Sequence, residues 1–122
     1  MKILASLVFL LIAGGLGQAA VPDHEPSIVG RWFADVDQVR TEIEFRPDGG
    51  FSGQISDRAG VQWVFAGTWR IEGRVLHYLY TESSRAEIPT GITDEDEILK
   101  VEADFFEARN RAEKTIRYSR RK

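Results

Sequence analysis

Residues 40–55 read RTEIEFRPDGGFSGQI. Thr41, Ile43 and Phe45 alternate with Arg40, Glu42, Glu44 and Arg46. That is the period-2 pattern of a half-buried antiparallel strand. Pro47-Asp48-Gly49-Gly50 then interrupts it. Proline pre-sets the first position of a tight turn, and glycine accepts the positive φ that follows. Phe51, Gly53 and Ile55 resume the alternation on the far side of the turn. The stretch is a β-hairpin, and the chain on either side repeats its logic.

Upstream, Val29 to Ala34 reads as a short first strand. Downstream, Asp57-Arg58-Ala59-Gly60 turns the chain into its longest strand, Val61 to Glu72. There Val61, Trp63, Phe65, Gly67, Trp69 and Ile71 share one face, which is expected to be the inner one. Gly67 in mid-strand marks a bend or bulge, since a missing side chain lets a sheet coil sharply. Glu72-Gly73 leads into a strand from Arg74 to Glu82 with apolar residues on both faces. Alternation therefore leaves its inner face open between Leu76, Tyr78, Tyr80 and Val75, His77, Leu79. Residues 83–95 read as one long loop. Ile98 to Ala103, Phe105 to Arg109 and Lys114 to Arg121 complete eight strands, with Asn110 in the last turn. Short strands joined by hairpins predict an all-β antiparallel up-and-down β-barrel. Closure is favoured over an open sheet because it removes exposed edges.

The first residues read differently. Lys2 is followed by an apolar run from Ile3 to Ala13, broken only by Ser6, and then by Gly14, Gly15 and Gly17. Residues 1–19 are expected to be a cleaved signal peptide ending at the small residues Gly17-Gln18-Ala19. The run is shorter than the roughly 20 apolar residues that span a bilayer, so no membrane anchor is expected after cleavage. Residues 20–28 carry Pro22 and Pro26 and are expected to form an irregular arm, with one domain over 29–122. The expected location is periplasmic or secreted. The chain has no cysteine, so no disulfide supports its core.

Most catalytic chemistries lack their parts. There is no Gly-x-Ser-x-Gly motif, no thiol, and the only histidines are His24 and His77. His24 falls on the arm, and His77 is expected to be a barrel-wall residue. Asp94-Glu95-Asp96-Glu97 lacks the alternate spacing and central glycine of a calcium loop and is expected to be a solvated charge run. Asp23-His24-Glu25 on a flexible arm makes a poor metal site. No metal and no cofactor is expected. A net charge of −3 gives no electrostatic footprint for nucleic acid, and the basic tail Arg117, Arg120, Arg121 and Lys122 lacks interleaved aromatics.

Four fragments occur in order along the chain: Gly30-Arg31-Trp32, Phe45 to Phe51 across the hairpin, Gly67-Thr68-Trp69 before Ile71-Glu72-Gly73, and Tyr118-Ser119-Arg120. Together, from Ile28 to Arg121, they resemble the small lipocalin-like (calycin-type) domains of secreted bacterial proteins. The chain is shorter than a full lipocalin and lacks its disulfide and long first loop. The resemblance implies that Trp32 closes the base of the barrel and that an arginine of the last strand packs over it. Lys114, Ile116, Tyr118 and Arg120 share one face, which makes Arg120 the expected partner, with Trp69 a further structural aromatic.

An eight-stranded barrel is either filled by side chains or holds one small ligand. With an open cavity, Trp63 and Phe65 are expected to form an apolar wall and Tyr78 and Tyr80 to orient a small apolar or amphipathic molecule. With a filled barrel, the expectation is a non-enzymatic protein-binding module, such as an inhibitor of exported proteases, reaching out with Ala20 to Ser27 and Ser83 to Glu95.

Overall fold

The computed structural model describes residues 27–121. The expected leader over 1–19 and most of the arm, with His24, lie outside those residues. Eight strands follow in order: β1 Gly30–Val36, β2 Val39–Phe45, β3 Gly50–Asp57, β4 Gly60–Glu72, β5 Val75–Ser83, β6 Thr93–Val101, β7 Phe105–Arg109 and β8 Thr115–Arg120. Each pairs antiparallel with the next, and β1 pairs with β8. The result is a closed up-and-down barrel, consistent with a calycin-like fold.

Connectivity gives the barrel two distinct ends. The turns after β2, β4 and β6 lie at one end, together with Ile28 and the C-terminus of β8. The turns after β1, β3 and β7 lie at the other with the 84–92 loop. We call these the base and the mouth. At the mouth, Asp37 and Gln38 join β1 to β2 with φ of 52° and 68°. Two successive left-handed residues form the turn whose twist matches that of the flanking strands.

The base is solid. Trp32, Phe45, Phe51, Leu76 and Phe106 are fully buried there. Trp32 meets Phe106 edge-on at 4.7 Å, and Phe45 meets Trp69 edge-on at 5.3 Å. Edge-to-face pairs of this kind contribute about 0.5–1.5 kcal/mol each beyond their buried area. Ile28, read from sequence as the end of an irregular arm, is buried and seals the base from below. Its carbonyl accepts the Trp32 indole N–H at 2.7 Å. An apolar side chain beside so large a ring removes more surface from water than an extended arm would.

The seam between β1 and β8 is short, pairing Trp32 with Arg120 and Phe33 with Ser119 and continued by the Arg121 N–H donating to the Arg31 carbonyl at 2.8 Å. Arg120 reinforces it. Its guanidinium lies 4.1 Å from the Trp32 ring centroid. Nε donates to the Ala103 carbonyl at 2.7 Å, Nη1 to Val29 at 2.9 Å and Nη2 to Ser27 at 3.2 Å. Gly30, at φ 130°, leaves room for the guanidinium that any side chain would occupy. Lys114, expected on the same face as Arg120, lies before β8 and is exposed, 3.8 Å from Asp37.

Two irregularities in β4 shape the barrel. The β4–β5 register shifts between Ala66 and Gly67. A Cβ on Gly67 would collide with the Leu79 carbonyl oxygen, so the strands approach closely there only because the side chain is missing. A second shift, where β3 meets β4, pairs Ile55 with Trp63 and Ser56 with Val61. The extra residue breaks the alternation, and Val61 is 55% exposed instead of facing inward with Trp63. In β5 the open choice resolves to Leu76, Tyr78 and Tyr80 inside.

Replacing Trp32 by Ala is expected to cost about 3–5 kcal/mol, the usual range for emptying a buried aromatic site. Urea unfolding followed by circular dichroism measures it. An unchanged midpoint would mean that the base is not packed around this ring.

Candidate functional site

Above the packed base the lumen is not filled. A cavity of about 240 Å³ lies inside the upper barrel. Its apolar wall is made of Ile43, Ile55, Trp63, Phe65 and Ile116, and its polar groups are Thr41, Tyr78, Tyr80, Asp94, Asp96, Asn110 and Tyr118. All four residues expected at a ligand site, Trp63, Phe65, Tyr78 and Tyr80, line this one space. Trp32, Trp69 and Arg120 lie toward the base. Trp69 donates its indole N–H to the Arg46 carbonyl at 3.0 Å, which ties β4 to the β2–β3 turn.

The aromatic wall is held rigidly. Trp63 packs on Phe65 at 4.4 Å and on Tyr80 at 5.4 Å. Its indole N–H donates to Ser83 Oγ at 2.9 Å, at the end of β5. Tyr78 and Tyr80 stack at 6.2 Å with rings 9° from parallel. Tyr118 stacks on Phe106 at 4.9 Å, so the top of the base core is also the floor of the cavity. Burial pushes the Tyr78, Tyr80 and Tyr118 hydroxyls above the ordinary value for tyrosine, and all three stay protonated across the physiological range.

The carboxylates are the unexpected part. The run Asp94 to Glu97 stands at the start of a strand, with Glu95 and Glu97 exposed as expected of a charge run, but Asp94 and Asp96 are only half-exposed. It lies inside β6, which begins at Thr93, and the connecting loop shortens to residues 84–92. Strand alternation then sends Glu95 and Glu97 outward and Asp94 and Asp96 to the cavity. Asp94 is paired with Arg111 of the β7–β8 turn at 3.0 Å. Asp96 accepts the Tyr78 hydroxyl at 3.1 Å. Burial raises its pKa from 3.8 to about 6, helped by the neighbouring Asp94 charge and opposed by the Tyr78 hydrogen bond and by Arg111. A carboxylate ionised at neutral pH against such a desolvation cost marks a functional-site candidate.

The remaining candidates lie elsewhere. His77 faces outward between Glu72 at 3.4 Å and Glu95 at 3.5 Å, away from the cavity. Arg117 lies on the outer wall, paired with Glu107 and stacked 3.9 Å over Phe105. Among the described residues, no group of three or more His, Cys, Asp or Glu side chains is placed to hold a metal ion. A larger hollow, about 720 Å³, runs over the outside of β1 to β5. It is a solvent-open saddle crossed by surface contacts such as Arg121 to Glu42 at 3.7 Å. The smaller internal space is therefore the better site.

No protein-family profile matches the chain, and no curated protein or solved structure matches it either. The fold and the cavity therefore carry the functional argument.

The raised pKa of Asp96 has a defined effect on stability. It lies above the ordinary value, so the folded state holds this proton more tightly than the unfolded state does. The cost of ionisation is absent below about pH 4 and complete somewhat above pH 6. It reaches about 2–3 kcal/mol, since each tenfold difference in proton affinity corresponds to about 1.4 kcal/mol. Asp96→Asn should therefore raise the melting temperature at pH 8 and leave it unchanged at pH 3.5. A variant no more stable than the parent at pH 8 would contradict the burial of this charge.

Proposed function

We propose that this protein is a non-enzymatic, lipocalin-like carrier or receptor for a small amphipathic molecule, acting outside the cytoplasm. The observation that carries the reading is the aromatic-walled cavity above a packed base. Interiors of proteins are otherwise filled to crystal-like density, and cores tolerate few voids of this size. A space that the chain leaves unfilled and lines with rigid rings and a few converging polar groups has the make-up of a ligand pocket. Tyr78 and Tyr80 orient the ligand in this reading, while Trp63 and Phe65 cover its apolar side. The volume limits the ligand to about a dozen non-hydrogen atoms at ordinary packing density. Export rests on the leader-like residues 1–19, and lipocalin kinship on the ordered fragments and the barrel topology.

The cavity also favours this reading over a protein-binding module. An inhibitor that docks through residues 20–27 or the loop at the mouth needs no internal space. A filled lumen would serve it equally well and would be more stable.

Filling the space tests the reading. Phenol, indole and 2-phenylethanol, titrated in turn, should quench Trp63 emission and raise the melting temperature as ligand binding to the native state requires. Ile116→Trp places a larger ring in the cavity. It should abolish these responses while keeping the β-sheet circular dichroism spectrum. Equal responses in parent and variant would place any binding outside the lumen and overturn the proposal.

A further inference from the structure

The cavity has an unbalanced charge. Two aspartates reach it from β6, and a single guanidinium, Arg111, answers them. That guanidinium is bound to Asp94, whose Oδ1 also accepts the Glu95 backbone N–H at 2.8 Å. Asp96 is left with one neutral donor, the Tyr78 hydroxyl, and no Lys, Arg or His among the described residues forms an ion pair with it. Asp96 is half-buried, and a carboxylate partly withdrawn from water with no cation paired to it is costly for a fold to keep.

A second, independent feature faces the same space. Tyr80 is only 9% exposed, lines the cavity, and its hydroxyl has no hydrogen-bond partner among the described residues. Buried hydroxyls are nearly always satisfied, and an orphan in a cavity wall points to a missing partner. The walls add a third. Trp63, Tyr80 and Phe65 present aromatic surface within one cluster, and the electron-rich faces of such rings attract cations.

Resting on the lumen being the binding site, we propose that its ligand is a small organic cation, an ammonium on a compact apolar body, with Asp96 as counter-ion and the Tyr80 hydroxyl as a further hydrogen-bond partner. The positive nitrogen supplies the charge that Asp96 lacks. The apolar body takes the space beside Trp63 and Phe65. A bare metal ion fits poorly. Hard cations such as calcium take six to eight oxygen ligands, whereas this cavity offers two carboxylates among aromatic rings and is far larger than an ion. An anion would meet Asp94 and Asp96 without a free cation to receive it.

An isosteric pair of probes tests the charge separately from the pocket. At pH 8, 2-phenylethylamine and 2-phenylethanol are titrated by calorimetry onto the protein and onto its Asp96→Asn variant. The amine should bind the parent about tenfold or more tighter than the alcohol does, as expected for a charge-assisted hydrogen bond. Asp96→Asn should remove that advantage, bringing the affinities of the amine and the alcohol to within about twofold of each other. Equal affinity of the two probes for the parent overturns the cationic ligand and leaves the lumen as a binding site. Amine binding that Asp96→Asn does not weaken overturns the role of Asp96. Failure of both probes to bind overturns the lumen reading and this inference with it.

Discussion

Arg120 joins the two ends of the sheet, and the arrangement of the barrel depends on that junction. An open eight-stranded sheet would expose two edges and half of its aromatic face. Closure rests on two residue pairs and one further backbone hydrogen bond, from Arg121 to Arg31, a short seam that a side-chain bridge strengthens. The guanidinium does so with three backbone carbonyls and one indole face. Its planar fork suits this better than a lysine ammonium would, since it donates in several fixed directions while stacking. The carbonyls it reaches belong to the segment before β1 and to the β6–β7 turn. One side chain thus fixes the start of the domain, its last strand and the base of the barrel together.

That closure at one end is what allows open space at the other. Trp32, Phe45, Phe51, Leu76 and Phe106 give the base a fully buried core, and Ile28 is buried against it. The burial that stabilises the fold is concentrated there. The mouth is thereby free to carry features that cost stability: a cavity, an unpartnered tyrosine hydroxyl and a raised aspartate pKa. Proteins commonly tolerate such local costs where they bind ligands. The division also explains the bulges in β4. The one at Gly67 lets β4 and β5 approach over the base, and the one beside Trp63 swings Val61 outward and ends the inward alternation at the rim.

Much of this was legible in the sequence, and the rest was hidden for identifiable reasons. The hairpin at 40–55 and the alternation of β4 led to the strand number and topology. The same alternation placed Arg120 on the inner face of β8, from which it meets Trp32. It also put Trp63 and Phe65 on one inner face, but it left the face of Tyr78 and Tyr80 open, and only the structure brings all four to one cavity. Val61 misled because period-2 counting assumes no bulge, and a bulge at an exposed strand start leaves no mark in composition. Asp94 and Asp96 misled for a different reason. Four consecutive acidic residues look solvated, yet in a strand every second one must face inward, and Ile98 on the same face was the available clue. The size of the cavity had no sequence signal, because it depends on how the rings of the base stack rather than on which residues are present.

Asp96 is the carboxylate held inside the cavity above the sealed base, and its carboxyl carbon reports that placement directly. The chemical shift of this carbon, followed by nuclear magnetic resonance from pH 3 to pH 9 in the protein without ligand, should titrate with a midpoint near 6. A midpoint at or below the ordinary value of 3.8 would show a fully solvated side chain and contradict a carboxylate withdrawn from water at the heart of the site.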